Sequence, residues 1–234
     1  MKVIITGASK GIGRGIASFL AMDGHEVGLL ARSDDLLDDL QQSIRDQNGE
    51  SQAVSCDLRD PEATRTAVDW LVDQMGGCDG FINNAGLVIR KDIFDISMEE
   101  WHAMMDTNVN GLFYATKAIL PHFQRQGRGH LINISSISGK LPLAGGSAYA
   151  ASKHAVTGLS LSLFQECRDH NITVSTIYPG SVASESHRHG ENSDESWKVP
   201  PEDVGRVCRD ILSADPRTTI SEVEIRPLGR PPKS

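Results

Sequence analysis

Short apolar runs rich in valine and isoleucine alternate, from one end of the chain to the other, with longer segments of helical pattern. Strands are expected at residues 3–6, 27–31, 53–56, 80–83, 130–135, 173–178 and 223–226, and helices at 13–23, 34–47, 61–75, 97–125, 149–170 and 201–213. The runs are mostly continuous rather than alternating in polarity, as in parallel strands covered on both faces. Strand-then-helix repetition implies an α/β fold: an open, doubly wound parallel sheet of about seven strands, with right-handed crossovers and helices on both faces. Ser97 with Glu100 reads as a capping box, and Pro61 after Asp60 as a first-turn proline.

No linker or repeat divides the chain, so residues 1–234 are read as a single domain. The least regular stretch, 184–200, is polar apart from Trp197 and Val199 and is read as a functional, substrate-choosing loop. Lys and Arg total 23 against 31 Asp and Glu, a formal net charge of −8. That balance speaks against a nucleic-acid partner and against a polybasic membrane-surface protein. No apolar run approaches the roughly 18 residues of a membrane span. The start, Met1 to Gly7, turns glycine-rich too soon for a signal peptide. Cys56, Cys78, Cys167 and Cys208 are scattered without zinc-type spacing and read as buried thiols of a reducing compartment. A cytoplasmic location is therefore expected. His187 and His189, flanking Arg188, lack companion acids or cysteines, so no metal site is expected.

The first strand runs into Thr6-Gly7-Ala8-Ser9-Lys10-Gly11-Ile12-Gly13 and then a helix. Residues without a Cβ let such a turn bring its backbone, and the helix N-terminus behind it, close to a pyrophosphate. The spacing G-x-x-x-G-x-G departs from the G-x-G-x-x-G fingerprint, and no phosphate loop of the G-x-x-x-x-G-K type is present. On the glycines alone, a tight strand-to-helix turn explains the segment equally well.

The flanking residues extend the match. The turn resembles the cofactor turn of the short-chain dehydrogenase/reductase (SDR) family. Later segments agree in order and spacing: Asn83-Asn84-Ala85-Gly86, Asn108-Val109-Asn110-Gly111, Ser136, Tyr149-x-x-x-Lys153 and Pro179-Gly180. The resemblance runs from Lys2 to about Ser184 and resumes in the last strand. It implies a Rossmann-like domain that binds a dinucleotide through Gly7, Ser9, Lys10, Gly11, Ile12 and Gly13. It also implies that Asp57 and Leu58 lie beside adenine, and that the Asn84-Ala85-Gly86 segment contacts the cofactor, with Asn84 near the adenosine ribose. Pro179, Gly180 and Val182 then belong to the segment at the carboxamide. Ser184 stands where the family often has threonine.

NAD-preferring enzymes usually end the second strand with an acid for the ribose 2′-hydroxyl. Here the strand ends Leu29-Leu30-Ala31-Arg32, with Ala31 in the acid's place. Arg32 can fork onto a 2′-phosphate, and Lys10 offers a second cation. NADPH/NADP is therefore the expected cofactor, with NAD disfavoured. Asp34 and Asp35 are read as serving the positive end of the next helix instead.

Carbonyl reduction needs an acid beside the developing alkoxide. Of the three tyrosines, Tyr114 and Tyr178 have Ala118 and Val182 four residues on, whereas Tyr149 has Lys153. Four residues turn a helix by about 400°, placing both side chains on one face. A lysine ammonium there favours the phenolate. Bringing a phenol pKa from about 10 to about 7 takes roughly 4 kcal/mol of differential stabilisation, part of it from the oxidised nicotinamide. Ser136, thirteen residues before Tyr149, ends the fifth strand, where it can orient the substrate oxygen; Ser135 and Ser138 are rivals. The resemblance makes Lys153 also a holder of the nicotinamide ribose, and Asn108 the fourth active-site residue, linking Lys153 to solvent through water. Read without it, Asn108 could equally cap or kink its helix.

The expected activity is NADPH-dependent interconversion of a small-molecule carbonyl and a secondary alcohol, with Tyr149 as acid and base. The alternatives are a 3-oxoacyl-[acyl-carrier-protein] reductase, or a non-catalytic NADP-binding sensor or scaffold. The end, Ser221 to Pro227, lacks the glycine-rich close usual in those reductases and looks more like the branch acting on small 3-hydroxy acids, serine or sepiapterin-like ketones. Family resemblance also implies a homo-oligomer, dimer or tetramer, packed through helices 97–125 and 149–170.

Overall fold

A computed structural model describes residues 1–183 and 195–229. Its parallel strands are β1 (Lys2–Thr6), β2 (Glu26–Ala31), β3 (Ser51–Ser55), β4 (Gly80–Asn83), β5 (Gly129–Ile134), β6 (Ile172–Pro179) and β7 (Glu222–Ile225). They form one sheet in the order β3-β2-β1-β4-β5-β6-β7. The order turns back between β1 and β4, which opens a crevice at the carboxyl ends of the strands, the place where such sheets bind ligands. The helices are α1 (Gly11–Met22), α2 (Asp34–Asp46), α3 (Pro61–Met75), α4 (Met98–Met105), α5 (Gly111–Gln126), α6 (Ser147–Cys167) and α7 (Pro201–Leu212).

Alternate side chains of β1 explain the two layers. Val3 and Ile5 pack with Ile16, Leu20, Leu40 and Val204 on the α1–α2–α7 face. Ile4 packs with Leu71, Phe81, Ile119 and Leu163 on the α3–α5–α6 face. A period of two residues, buried both ways, is what a continuous apolar run encodes. The caps act as expected: Asp60 accepts from the amides of Glu62 and Ala63 ahead of Pro61, and Ser97 and Glu100 close their box reciprocally. Asp34 and Asp35 lie in the first turn of α2, behind Ser33 at the cap, and with Asp38 and Asp39 form its exposed face.

Two expectations are corrected. The single helix at 97–125 is broken by a five-residue π-helical turn, Asp106–Asn110, between α4 and α5. The helix expected at 149–170 begins two residues earlier, at Ser147, and closes in a 3₁₀ turn, Arg168–His170. A polar chain also crosses the apolar interior. Asn83 donates to Thr116 (3.0 Å) and to Asn133 (2.9 Å), and Asn133 donates to Ser160 (2.9 Å), tying β4 and β5 to α5 and α6. No helix among the described residues is long and apolar enough to cross a membrane.

Candidate active site

The glycine turn sits at the end of β1, and its glycines are required for different reasons. Gly7 has φ +65°, a left-handed conformation that disfavours a side chain. Gly13 has ordinary backbone angles but no room: a Cβ there would stand 2.2 Å from the Gly7 carbonyl oxygen and 2.4 Å from Asn84 Nδ2. Gly13→Ala is therefore expected to destabilise the fold by about 1–3 kcal/mol, the usual cost of overpacking, read as a lower midpoint of denaturation. The turn is braced from β4. Thr6 Oγ1 accepts from the amides of Asn84 (3.0 Å) and Ala85 (3.1 Å), and Asn84 Nδ2 donates to the carbonyls of Thr6 (3.0 Å) and Gly7 (3.2 Å). The Asn84 side-chain nitrogen thus holds the turn in shape.

Lys10 and Arg32 are both exposed, one in the turn and one just past β2; Ser9 is half-buried. Asp57 is clamped by Arg59, whose backbone amide and Nε each reach Oδ1 at 3.0 Å while Nη2 reaches Oδ2 at 2.5 Å. These bonds, helped by the nearby charge of Arg32, hold the Asp57 carboxyl below the usual range. Leu58 points into the core, against Gly111 of α5. Arg59 carried no motif signal in the sequence.

Tyr149 and Lys153 lie one turn apart on α6, and both are buried. Tyr149 packs in an apolar group with Met104, Leu87, Val88, Trp101 and Leu143. Lys153 Nζ donates to the Ile134 carbonyl at 2.9 Å, at the end of β5. Burial lowers its pKa to about 8. The π-helical turn aims Asn108 at this centre: Oδ1 accepts from the Leu87 amide (2.7 Å), and Nδ2 donates to the Leu87 carbonyl and to Ser152 Oγ (both 2.9 Å). Inserting one residue into a helical turn is a frequent device at functional sites. Asn108 and Lys153 converge on Gly86, whose Cβ position is 3.4 Å from Asn108 Oδ1 and 3.7 Å from Lys153 Nζ.

Ser136 follows β5 and accepts from the Ser138 amide at 3.1 Å. Its rival Ser135 is engaged with the scaffold through the Lys153 carbonyl (3.2 Å) and Thr157 Oγ1 (3.1 Å). A cleft of about 220 Å³ brings Ser136 and Tyr149 together with Ile12, Pro179, Gly180 and Val182. Val182 pairs with Val199 across the base of the expected substrate loop, through Ala183 N to Val199 O (2.9 Å) and Val199 N to Ser181 O (3.0 Å). Ser184, His187, Arg188 and His189 lie outside the described residues.

Comparisons with known proteins identify the family. Residues 1–195 match the family model for short chain dehydrogenases. An uncharacterized oxidoreductase of Staphylococcus haemolyticus is 33% identical over 225 residues, covering 96% of both chains. The NADP-dependent 3-hydroxy acid dehydrogenase YdfG of Salmonella typhi is 31% identical over 240 residues, covering 97% of this chain and 95% of its own. A crystal structure of a metagenomic short-chain oxidoreductase in complex with NADP superposes with a TM-score of 0.86 at 32% identity, covering 98% of each chain. With the seven-stranded sheet and its crevice, these matches show that the chain belongs to the short-chain dehydrogenase family of oxidoreductases.

Proposed function

We propose that the chain is an NADP(H)-dependent oxidoreductase that interconverts a carbonyl and a secondary alcohol, with Tyr149 as proton donor in reduction and acceptor in oxidation. The observation that carries this reading is a cleft whose lining holds Ser136 and Tyr149 together with Ile12, Pro179, Gly180 and Val182, while the buried Lys153 stands one helical turn behind the tyrosine. The residues present fit a phosphorylated dinucleotide. The turn at Gly7, Ser9, Lys10, Gly11, Ile12 and Gly13 leaves its backbone bare at the start of α1, where a helix favours phosphate. Ala31 offers no negative charge to a 2′-phosphate, and Lys10 and Arg32 are both exposed. NADP-bound relatives support the same choice.

When bound, NADPH supplies the hydride that reaches the carbonyl carbon. Ser136 Oγ orients the carbonyl oxygen, and Tyr149 hands it the proton. The Lys153 ammonium stabilises the phenolate that remains, and Asn108 fixes the Leu87 backbone and Ser152 around that pair. Purified protein is expected to deplete NADPH with at least one member of a ketone and aldehyde panel, and far more slowly with NADH. NADPH unchanged across the whole panel would refute the assignment.

Burial of Lys153 gives a separate, thermodynamic expectation. Its folded pKa of about 8 lies below the unfolded value, so between the two the unfolded chain binds more protons. The cost of holding the ammonium inside is therefore fully present below pH 8 and fades as pH rises. Relative to Lys153→Met, the wild type is expected to gain up to about 3 kcal/mol between pH ~8 and pH ~10.4. Parallel denaturation curves of the two proteins across that window check it; a difference independent of pH would contradict the burial argument.

A further inference from the structure

Among the described residues that line the cleft, one carries a charge: Arg90. Its position follows from the site itself. Three residues before it, Leu87 is fastened at both its amide and its carbonyl by Asn108. Val88 and Ile89 then pack in the apolar group around Tyr149, and the exposed Arg90 that follows them stands in the lining of the cleft. The next residue, Lys91, is paired with Glu100 at 2.5 Å, and Arg59, Arg65, Arg209 and Lys140 likewise have carboxylate partners. Arg90 makes no ion pair or hydrogen bond with any described residue. In a chain of net charge −8, where acids outnumber bases, an unpaired guanidinium facing a reaction cleft calls for an anion from outside.

We infer that Arg90 binds the carboxylate of the substrate, so that the preferred substrates are small hydroxy acids and their oxo counterparts. The inference rests on the carbonyl-reduction reading and adds the substrate class to it. A guanidinium presents paired N–H donors that match a carboxylate, whereas a neutral ketone leaves them unused. The cleft supplies the remaining contacts: Ser138 and Ser181 offer hydroxyls, and Leu143 covers a short carbon chain. The same cleft also holds the expected cofactor contacts Ile12, Pro179, Gly180 and Val182.

The test compares 3-hydroxybutanoate with its methyl ester as substrates for oxidation by NADP⁺, in the wild type, Arg90→Met and Arg90→Lys. Methionine keeps an unbranched stem and removes the charge at an exposed position, so folding is not at issue. For the acid, Arg90→Met is expected to lower kcat/KM by at least about tenfold, mainly through KM, with the ester held within about threefold. Arg90→Lys should recover part of the loss, and NADPH affinity should be the same in all three. Equal losses on acid and ester, or none on the acid, overturn the inference while leaving carbonyl chemistry standing. If neither compound is oxidised, the acid's effect on the melting midpoint of the NADPH-loaded protein decides. A rise in the wild type that is absent in Arg90→Met supports the carboxylate site, and no difference between them overturns it. Acid binding that depends on Arg90, with no carbonyl of any kind reduced, would instead remove the proposed reaction and keep the anion site.

Discussion

Replacing Tyr149 by Phe is expected to lower turnover by about 10²- to 10⁴-fold, the usual worth of a positioned proton donor, while NADPH still binds. The substitution removes one oxygen and nothing else. The ring is buried among Met104, Leu87, Trp101 and Leu143, and phenylalanine keeps those contacts, so the loss cannot be assigned to a collapsed helix. The neighbours also stay in place: Lys153 hangs from the Ile134 carbonyl and Ser136 from the Ser138 amide, neither through the phenol. What disappears is the group that delivers a proton to the oxygen as hydride reaches carbon. Single-turnover oxidation of bound NADPH separates the two effects, because binding is read before the chemical step. Near-normal single turnover in the variant would require another proton donor, and the proposed assignment of Tyr149 would fall.

The fold was legible because its signals are local. Continuous apolar runs mark strands covered on both faces, and Asp60-Pro61 and Ser97 with Glu100 mark helix starts within four residues of chain. Tyr149 and Lys153 belong to the same class, a pair visible in one turn of α6. What escaped depends on partners distant in sequence. The run Asp106-Thr107-Asn108-Val109-Asn110-Gly111 is poor in helix formers and leaves a cap or kink at Asn108 open, but nothing local in it specifies a π-helical turn. The reason for the turn is the reach of Asn108 to Leu87, 21 residues away, and to Ser152, 44 residues away. The amide nitrogen of Asn84 also braces Thr6 and Gly7 across 78 and 77 positions, a role that its motif does not announce. Asn83 and Asn133 interrupt apolar strands, a mark of a buried network that could have been read, although its partners Thr116 and Ser160 could not. Arg90 had no motif to announce it; only the course of the chain after Leu87 gives it meaning.

Cofactor choice is the second large effect expected from a single side chain. Arg32→Asp should lower the ratio of kcat/KM for NADPH over NADH by about 10²- to 10³-fold. The arginine's charge-assisted bonds to a 2′-phosphate are worth about 1.5–3 kcal/mol, and an acid in their place adds repulsion of similar size. The same acid can accept from the 2′- and 3′-hydroxyls of NADH, so the two cofactors move in opposite directions. Structure should survive the change, because Arg32 is exposed and makes no ion pair with a described residue. The new acid would also stand just ahead of α2, where Asp34 and Asp35 already occupy the favourable end of the helix dipole. Asp57 does not compete for the position, since Arg59 holds its carboxylate. Exposure has a further consequence: salt screens the Arg32 contact, so the wild-type preference for NADPH should shrink as ionic strength rises, and the variant's ratio should respond in the opposite sense. An unchanged ratio would shift the phosphate contact to Lys10, and Lys10→Ala would then carry the loss that Arg32→Asp did not.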